Sequence, residues 1–131
     1  MPSHYARIGG ETTVRALTQR FYQLMDERPE FHELRRLHPA DLGSSEEKLF
    51  KFLSGWMGGP QLFVQEYGPP MLRKRHLPFP IGNTERDQWL ACMNQALQDV
   101  VADETLRHEL NAAFAKVADH MRNMAEQTAR R

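Results

Sequence analysis

The chain has 131 residues and a mass of 15.2 kDa, a size that suits one domain around one core. Its 40% hydrophobic and 26% charged residues exclude a disordered chain, and 17 basic against 17 acidic side chains leave no net field to draw it to nucleic acid or an anionic membrane. The single cysteine, Cys92, excludes an internal disulfide and any two-cysteine metal site.

Met1-Pro2-Ser3-His4 carries no apolar signal core, and no apolar run approaches the roughly 20 residues that cross a bilayer, so a reduced, cytoplasmic setting is expected. Gly9-Gly10 opens the first clear helix, with Glu11 placed at its positive end. Val14, Leu17, Phe21, Leu24 and Met25 recur at helical spacing until Pro29 breaks the run. A turn-rich stretch from Glu30 to Leu37 ends at His38-Pro39, since the residue before a proline is pushed out of the α region.

Ser44 and Glu47 have the spacing of a capping box. The helix that follows carries Leu49, Phe50, Phe52, Leu53, Trp56 and Met57, broad enough in its apolar surface to be covered on more than one side. Gly58-Gly59-Pro60 stops it. Residues 61–70 read as loop with one turn at most. A basic stub, Met71 to His76, is pinned by Pro69-Pro70 before it and by Pro78 and Pro80 after it.

A long helix is expected from Glu85, capped by Thr84 or Asn83, with Trp89, Leu90, Met93, Leu97, Val100 and Val101 on its face. The last helix has the cleanest period: Leu106, Leu110, Ala113, Phe114, Val117, Met121 and Met124. Residues 126–131 are polar and expected to fray. The whole is an all-α domain over 1–131.

Familiar catalytic signatures are missing: no phosphate-binding glycine loop, no Gly-x-Ser-x-Gly, no His-Glu-x-x-His. The histidines at 4, 32, 38, 76, 108 and 120 form no pair one helical turn apart, and His32 with His38 makes a poor zinc signal. His76 differs in its setting. Two prolines within four residues fix the backbone after it, and a metal-ligating imidazole needs its ring so held. From local sequence alone a capping or surface role stays open beside ligation.

Phe52-Leu53, Trp56 and Gly58-Gly59-Pro60, then Tyr67-Gly68 and Leu72-Arg73-Lys74-Arg75-His76-Leu77-Pro78-Phe79, then Glu85 to Leu90 with Cys92-Met93, closely resemble the truncated haemoglobins of group II. Phe21-Tyr22 and Leu34 to Pro39 resemble that family too, and the likeness runs from Gly9 to Met124. It implies a two-over-two helical sandwich whose crossing pairs are residues 11–27 and 45–57 against 85–102 and 104–125.

The resemblance further implies a haem b, held without covalent attachment because no Cys-x-x-Cys-His is present. It makes His76 the proximal iron ligand, its second ring nitrogen donating to a backbone carbonyl. Tyr22 is carried over as a distal hydrogen-bond donor, against a plain core tyrosine beside Phe21. Trp89 becomes a second donor through its indole N–H, or core packing, or both. His38 falls where the family often has tyrosine or phenylalanine. It donates to the ligand or to Tyr22, reaches the iron itself, or faces solvent at its proline turn, and it would make affinity pH-dependent. Tyr22 or His38 could fill the sixth position of the resting iron. Ser45 stands where many globins carry a distal histidine and leaves an opening. Leu49, Phe52 and Leu53 line the pocket, with Phe79, Met93 and Phe114. Lys48, Arg73 and Arg75 are offered to the haem propionates, or are a solvated basic stretch.

The implied function is binding of oxygen, nitric oxide, carbon monoxide or peroxide at a five- or six-coordinate iron. A redox role in scavenging or detoxification, peroxidase-like or nitric oxide dioxygenase-like, would need an electron donor. Alternatives are a haem-based gas sensor or interaction module and a haem-free helical bundle. The assembly is expected to be a monomer or homodimer.

Overall fold

The computed structural model describes residues 2–124, and every regular element in that span is helical. In chain order these are α1 (His4–Ile8), α2 (Glu11–Glu27), a 3-10 turn (Pro29–Phe31), α3 (His32–Arg36), α4 (Gly43–Trp56), α5 (Leu62–Tyr67), α6 (Leu72–His76), α7 (Asn83–Val100) and α8 (Glu104–Met121). The expected frayed tail from residue 126 lies outside the described residues. Among those described, no helix is long and apolar enough to cross a membrane.

The four long helices make the two-over-two sandwich: α2 lies on α7 and on α4, and α7 packs along α8. The core follows the apolar stripes. Val14, Leu17, Phe21 and Leu24 of α2 meet Met93, Ala96 and Leu97 of α7, all fully enclosed, with Leu106 and Leu110 of α8 closing the other side. Each such Leu or Phe contributes about 1.5–3 kcal/mol by leaving water. Among the described residues the polar side chains Thr18 and Ser54 are buried and bonded: Thr18 Oγ1 donates to the Val14 carbonyl and Ser54 Oγ to the Pro60 carbonyl.

The helix ends differ from expectation in instructive places. The Ser44–Glu47 box does not cap α4. That helix begins at Gly43, whose N–H donates to Asp41 Oδ1 at 2.9 Å, while Glu47 turns away to accept from Arg15 at 2.8 Å. A long-range ion pair has outbid a local cap. Helix α7 starts two residues early, because Glu85 Oε1 reaches back to the Gly82 N–H at 2.9 Å. Helix α8 ends at Met121 rather than 125, and Asp103 caps its start by accepting from the Leu106 N–H at 3.1 Å.

Two short helices went unread. In α5 only Phe63 is buried, too little to leave a period. Helix α1 is fixed from outside: the Tyr5 N–H donates to the Met57 carbonyl at 2.9 Å, and a Cβ on Gly59 would collide with the Tyr5 ring. Gly58, at φ +97°, is the left-handed stop that ends α4 against this contact.

Candidate functional site

Tyr22 lies on the inner face of α2, 7% exposed, because helical spacing from Phe21 and Met25 carries it into the core. Its hydroxyl donates to the Ser45 carbonyl in the first turn of α4 at 3.3 Å, a long bond. Burial, then the nearby Glu46 charge, pushes the phenol well above its ordinary value, so it stays a protonated donor.

The Tyr22 ring meets the His38 ring edge-on at 5.8 Å between centroids. His38 leaves α3 ahead of Pro39, with its Nδ1 on the Leu34 carbonyl at 3.0 Å. That bond fixes Nδ1–H as donor and leaves Nε2 as the acceptor. Burial lowers the His38 pKa most; the Leu34 carbonyl opposes, and the charges of Arg35 and His76 lower it further.

Trp89 comes from the second turn of α7. It is half-buried, tilted against Phe21 at 5.4 Å and edge-on to Phe114 at 5.5 Å. Its indole N–H has no hydrogen-bond partner among the described residues and is free to donate. Tyr22 and Trp89 are thus brought to one place by their shared neighbour Phe21, and His38 joins them through Tyr22.

His76 approaches from the other side. It ends α6, whose only close helix packing among the described elements is with α8. Its Nδ1 sits on the Leu72 carbonyl at 2.7 Å, one turn back, and Nε2 has no hydrogen-bond partner among the described residues. A neutral imidazole so arranged presents a lone pair at Nε2, the form in which histidine binds a metal. The His76 charge is the weakest of the influences that lower the His38 pKa.

The space beside α4 is not filled by helix packing. Helix α4 packs on α2 and α5 but not closely on α6, α7 or α8. Apolar side chains along it are only half covered: Leu49, Phe52 and Trp56 of α4, Trp89 and Leu90 of α7. Two hollows flank Trp56. One of about 200 Å³ runs past Phe52, Phe63 and Pro70, one of about 550 Å³ past Ala113, Val117 and the charged Glu109 and Lys116; neither is lined by Tyr22, His38, His76 or Trp89. Half-covered apolar side chains, a histidine with its Nε2 unbonded among the described residues and an indole N–H in the same condition fit a flat, largely apolar group bearing a metal. Among the described residues no three His, Cys, Asp or Glu gather to hold a bare ion, so a metal at His76 needs other ligands, such as porphyrin nitrogens.

The remaining predicted residues are placed as follows. Ser45 is half-buried beneath the Tyr22 hydroxyl. Leu53, Met93 and Phe114 are enclosed by protein, at 1%, 0% and 2% exposure, and stand behind the half-covered layer. Phe79 is exposed, its ring 6.5 Å from that of His76. Arg73 donates to the carbonyls of His120 and Arg122, and Arg75 to those of Tyr67, Pro69 and Pro70. The Lys48 ammonium lies over the Tyr67 ring at 5.7 Å. Cys92 is buried with its Sγ on the Phe21 carbonyl, and burial pushes the thiol up to about 12. Sequence reasoning passed over Trp56 as a wall residue. It stacks on Phe114 at 4.7 Å and on Phe52 at 6.3 Å, and its position one turn after Phe52 on a broadly apolar helix was the available signal.

A family model of bacterial-like globins matches residues 3–123. The chain is 38% identical over 117 residues to the group 2 truncated hemoglobin YjbI of Bacillus subtilis (strain 168), covering 89% of this chain and 86% of that protein. Among solved structures, the group II 2-on-2 hemoglobin of Agrobacterium tumefaciens overlays with a TM-score of 0.93 at 46% identity, covering 95% of this chain and 97% of that one. The cold-adapted truncated hemoglobin of Pseudoalteromonas haloplanktis TAC125 overlays with a TM-score of 0.93 at 43% identity, covering 95% and 100%. Fold, site geometry and relatives agree, and the chain belongs to the globins as a truncated haemoglobin of group II, a membership that implies haem-based binding of small ligands.

Proposed function

We propose that this chain, acting as one domain, holds a non-covalent haem b through His76 and retains a diatomic ligand beneath Tyr22, Trp89 and His38, in the service of redox chemistry rather than oxygen delivery. The observation that carries it is the His76 imidazole: Nδ1 is tied to the Leu72 carbonyl and Nε2 has no hydrogen-bond partner among the described residues. The haem supplies an iron that binds oxygen, nitric oxide, carbon monoxide or peroxide and changes oxidation state.

The chain's own residues do the rest. Leu49, Phe52 and Trp89 cover the flat faces of the cofactor and keep water out, with Leu53, Met93 and Phe114 packed behind them. Lys48 offers its ammonium to the cofactor's carboxylates, as do Arg73 and Arg75 through the N–H groups not already on carbonyls. Phe79 flanks the proximal ring.

On the distal side, Tyr22 exchanges a 3.3 Å bond to the Ser45 carbonyl for one to a ligand that gathers negative charge. The Trp89 indole N–H has no bond to give up. A protonated phenol and an unpaired indole aimed at one small volume slow ligand escape, which suits capture, peroxide turnover or nitrogen-oxide chemistry. Ser45, small and set at the start of α4, leaves the entry open. The electron donor such chemistry requires acts from outside this chain.

Haemin added to the purified protein should give a Soret band, and His76→Ala should lose it or displace it. Imidazole added to His76→Gly should restore it. A native-like spectrum in His76→Ala would overturn the assignment.

A further inference from the structure

We propose that Asn123, just beyond the last turn of α8, is a positioning residue that sets the place of the His76 ring; this rests on the reading of His76 as the iron ligand. Asn123 is half-buried and uses its whole amide on the loop that follows His76. Its Nδ2 donates to the carbonyls of His76 at 3.2 Å and of Phe79 at 2.9 Å, and its Oδ1 accepts from the Ile81 N–H at 3.0 Å. The backbone adds to the join: the N–H groups of Asn123 and Met124 both donate to the Ile81 carbonyl, at 2.9 and 3.1 Å.

The loop depends on this outside help. The loop closes one turn of its own, the Phe79 N–H donating to the His76 carbonyl at 3.0 Å, but Pro78 and Pro80 have no N–H and add no further bond. At the other end of α6, Met71 holds a left-handed φ of 43°, an uncommon state for a side chain with a Cβ. Between these ends the helix has five residues and none of them is buried. Apolar packing therefore does not locate α6. Hydrogen bonds from the end of α8 do: Asn123 at its C-terminus, and Arg73 Nη1 on the carbonyls of His120 at 3.0 Å and Arg122 at 2.6 Å.

The His76 ring is locked within α6 by the Leu72 carbonyl, so where α6 sits, the ring sits. A side chain outside the site thereby fixes the reach and plane of Nε2. Asparagine suits the task because it supplies two donors and an acceptor on one short stem, where aspartate would lack the donors.

The test uses the haem-loaded protein. In Asn123→Ala the ferrous iron–imidazole stretching band should move, and haem transfer to a scavenging apoglobin should speed up by about tenfold, the effect of losing one to two ordinary hydrogen bonds. Asn123→Asp keeps the acceptor for Ile81 and turns a carboxylate oxygen on the two carbonyls in place of the donors, so it should move the band in the same direction and at least as far. Asn123→Gln should recover part of the native position. The control is Asn111→Ala, which removes the 2.8 Å bond from Asn111 to Asn94 between α8 and α7, away from α6. It should lower the melting temperature and leave the band in place.

A native band and native transfer rate in both Asn123→Ala and Asn123→Asp would overturn the inference. So would an equal band shift in Asn111→Ala, which would mark general loosening. A native protein with no iron–imidazole band at all would overturn the reading of His76 itself, and this one with it.

Discussion

The two sides of the site are held in different ways. The proposed distal donors grow out of the core: Tyr22 follows Phe21 on α2, Trp89 leans on Phe21 and Phe114, and the surrounding side chains are enclosed. His76, the proposed proximal ligand, stands on a five-residue helix with no buried side chain, strapped by arginine and asparagine to backbone carbonyls. Close packing resists small displacement because any movement opens voids or forces overlaps. Hydrogen-bonded straps at a half-open surface yield more readily and locally. One side of this site is stiff by packing, the other adjustable by a few polar contacts.

The sharpest way to break the contrast is Phe21→Ala. Phe21 is fully enclosed and touches both Tyr22 and Trp89. Its truncation should cost about 3–5 kcal/mol of folding stability, read by denaturant unfolding, and should disturb both distal donors together. If stability fell by less than about 1 kcal/mol, packing would not be what holds the distal side. Next in size is removal of the donors with packing kept. Tyr22→Phe and Trp89→Phe should each speed oxygen dissociation by about tenfold to a hundredfold, the range for a hydrogen bond to a charged partner, with little change in melting temperature. Stopped-flow dissociation rates that match the native protein in both variants would remove the donor role.

The same contrast explains what was legible in the sequence. The long helices were readable because packing writes a period: Val14, Leu17, Phe21 and Leu24 on α2, or Leu106, Leu110 and Phe114 on α8, recur where the helix turns back to the core. Tyr22 and His38 were named from the family resemblance, and the fold brings their rings into contact. What depended on polar contacts between distant segments was hidden. Glu47 was read as a cap because its spacing from Ser44 is local, while its partner Arg15 lies on another helix. Helix α1 has no stripe and is held by a Met57 carbonyl and by the missing Cβ of Gly59. Asn123 left no trace, because it binds carbonyls, which every residue has.

The smallest expected effect concerns His38. Burial lowers its pKa below the ordinary value of 6.5, so the folded protein takes up its proton less readily than the unfolded chain. Between that value and the lower folded one, the unfolded state binds more protons, and stability falls as pH falls. Above 6.5 both states are neutral and the group is silent. The native protein should therefore lose melting temperature on acidification from pH 7 through the His38 range, and His38→Phe should lose less over the same interval. The ring contact with Tyr22 survives in that variant, so packing stays comparable and the difference isolates the proton. An identical acid slope in the two proteins would mean that His38 is charged in the fold. Water would then reach the ring beside Tyr22.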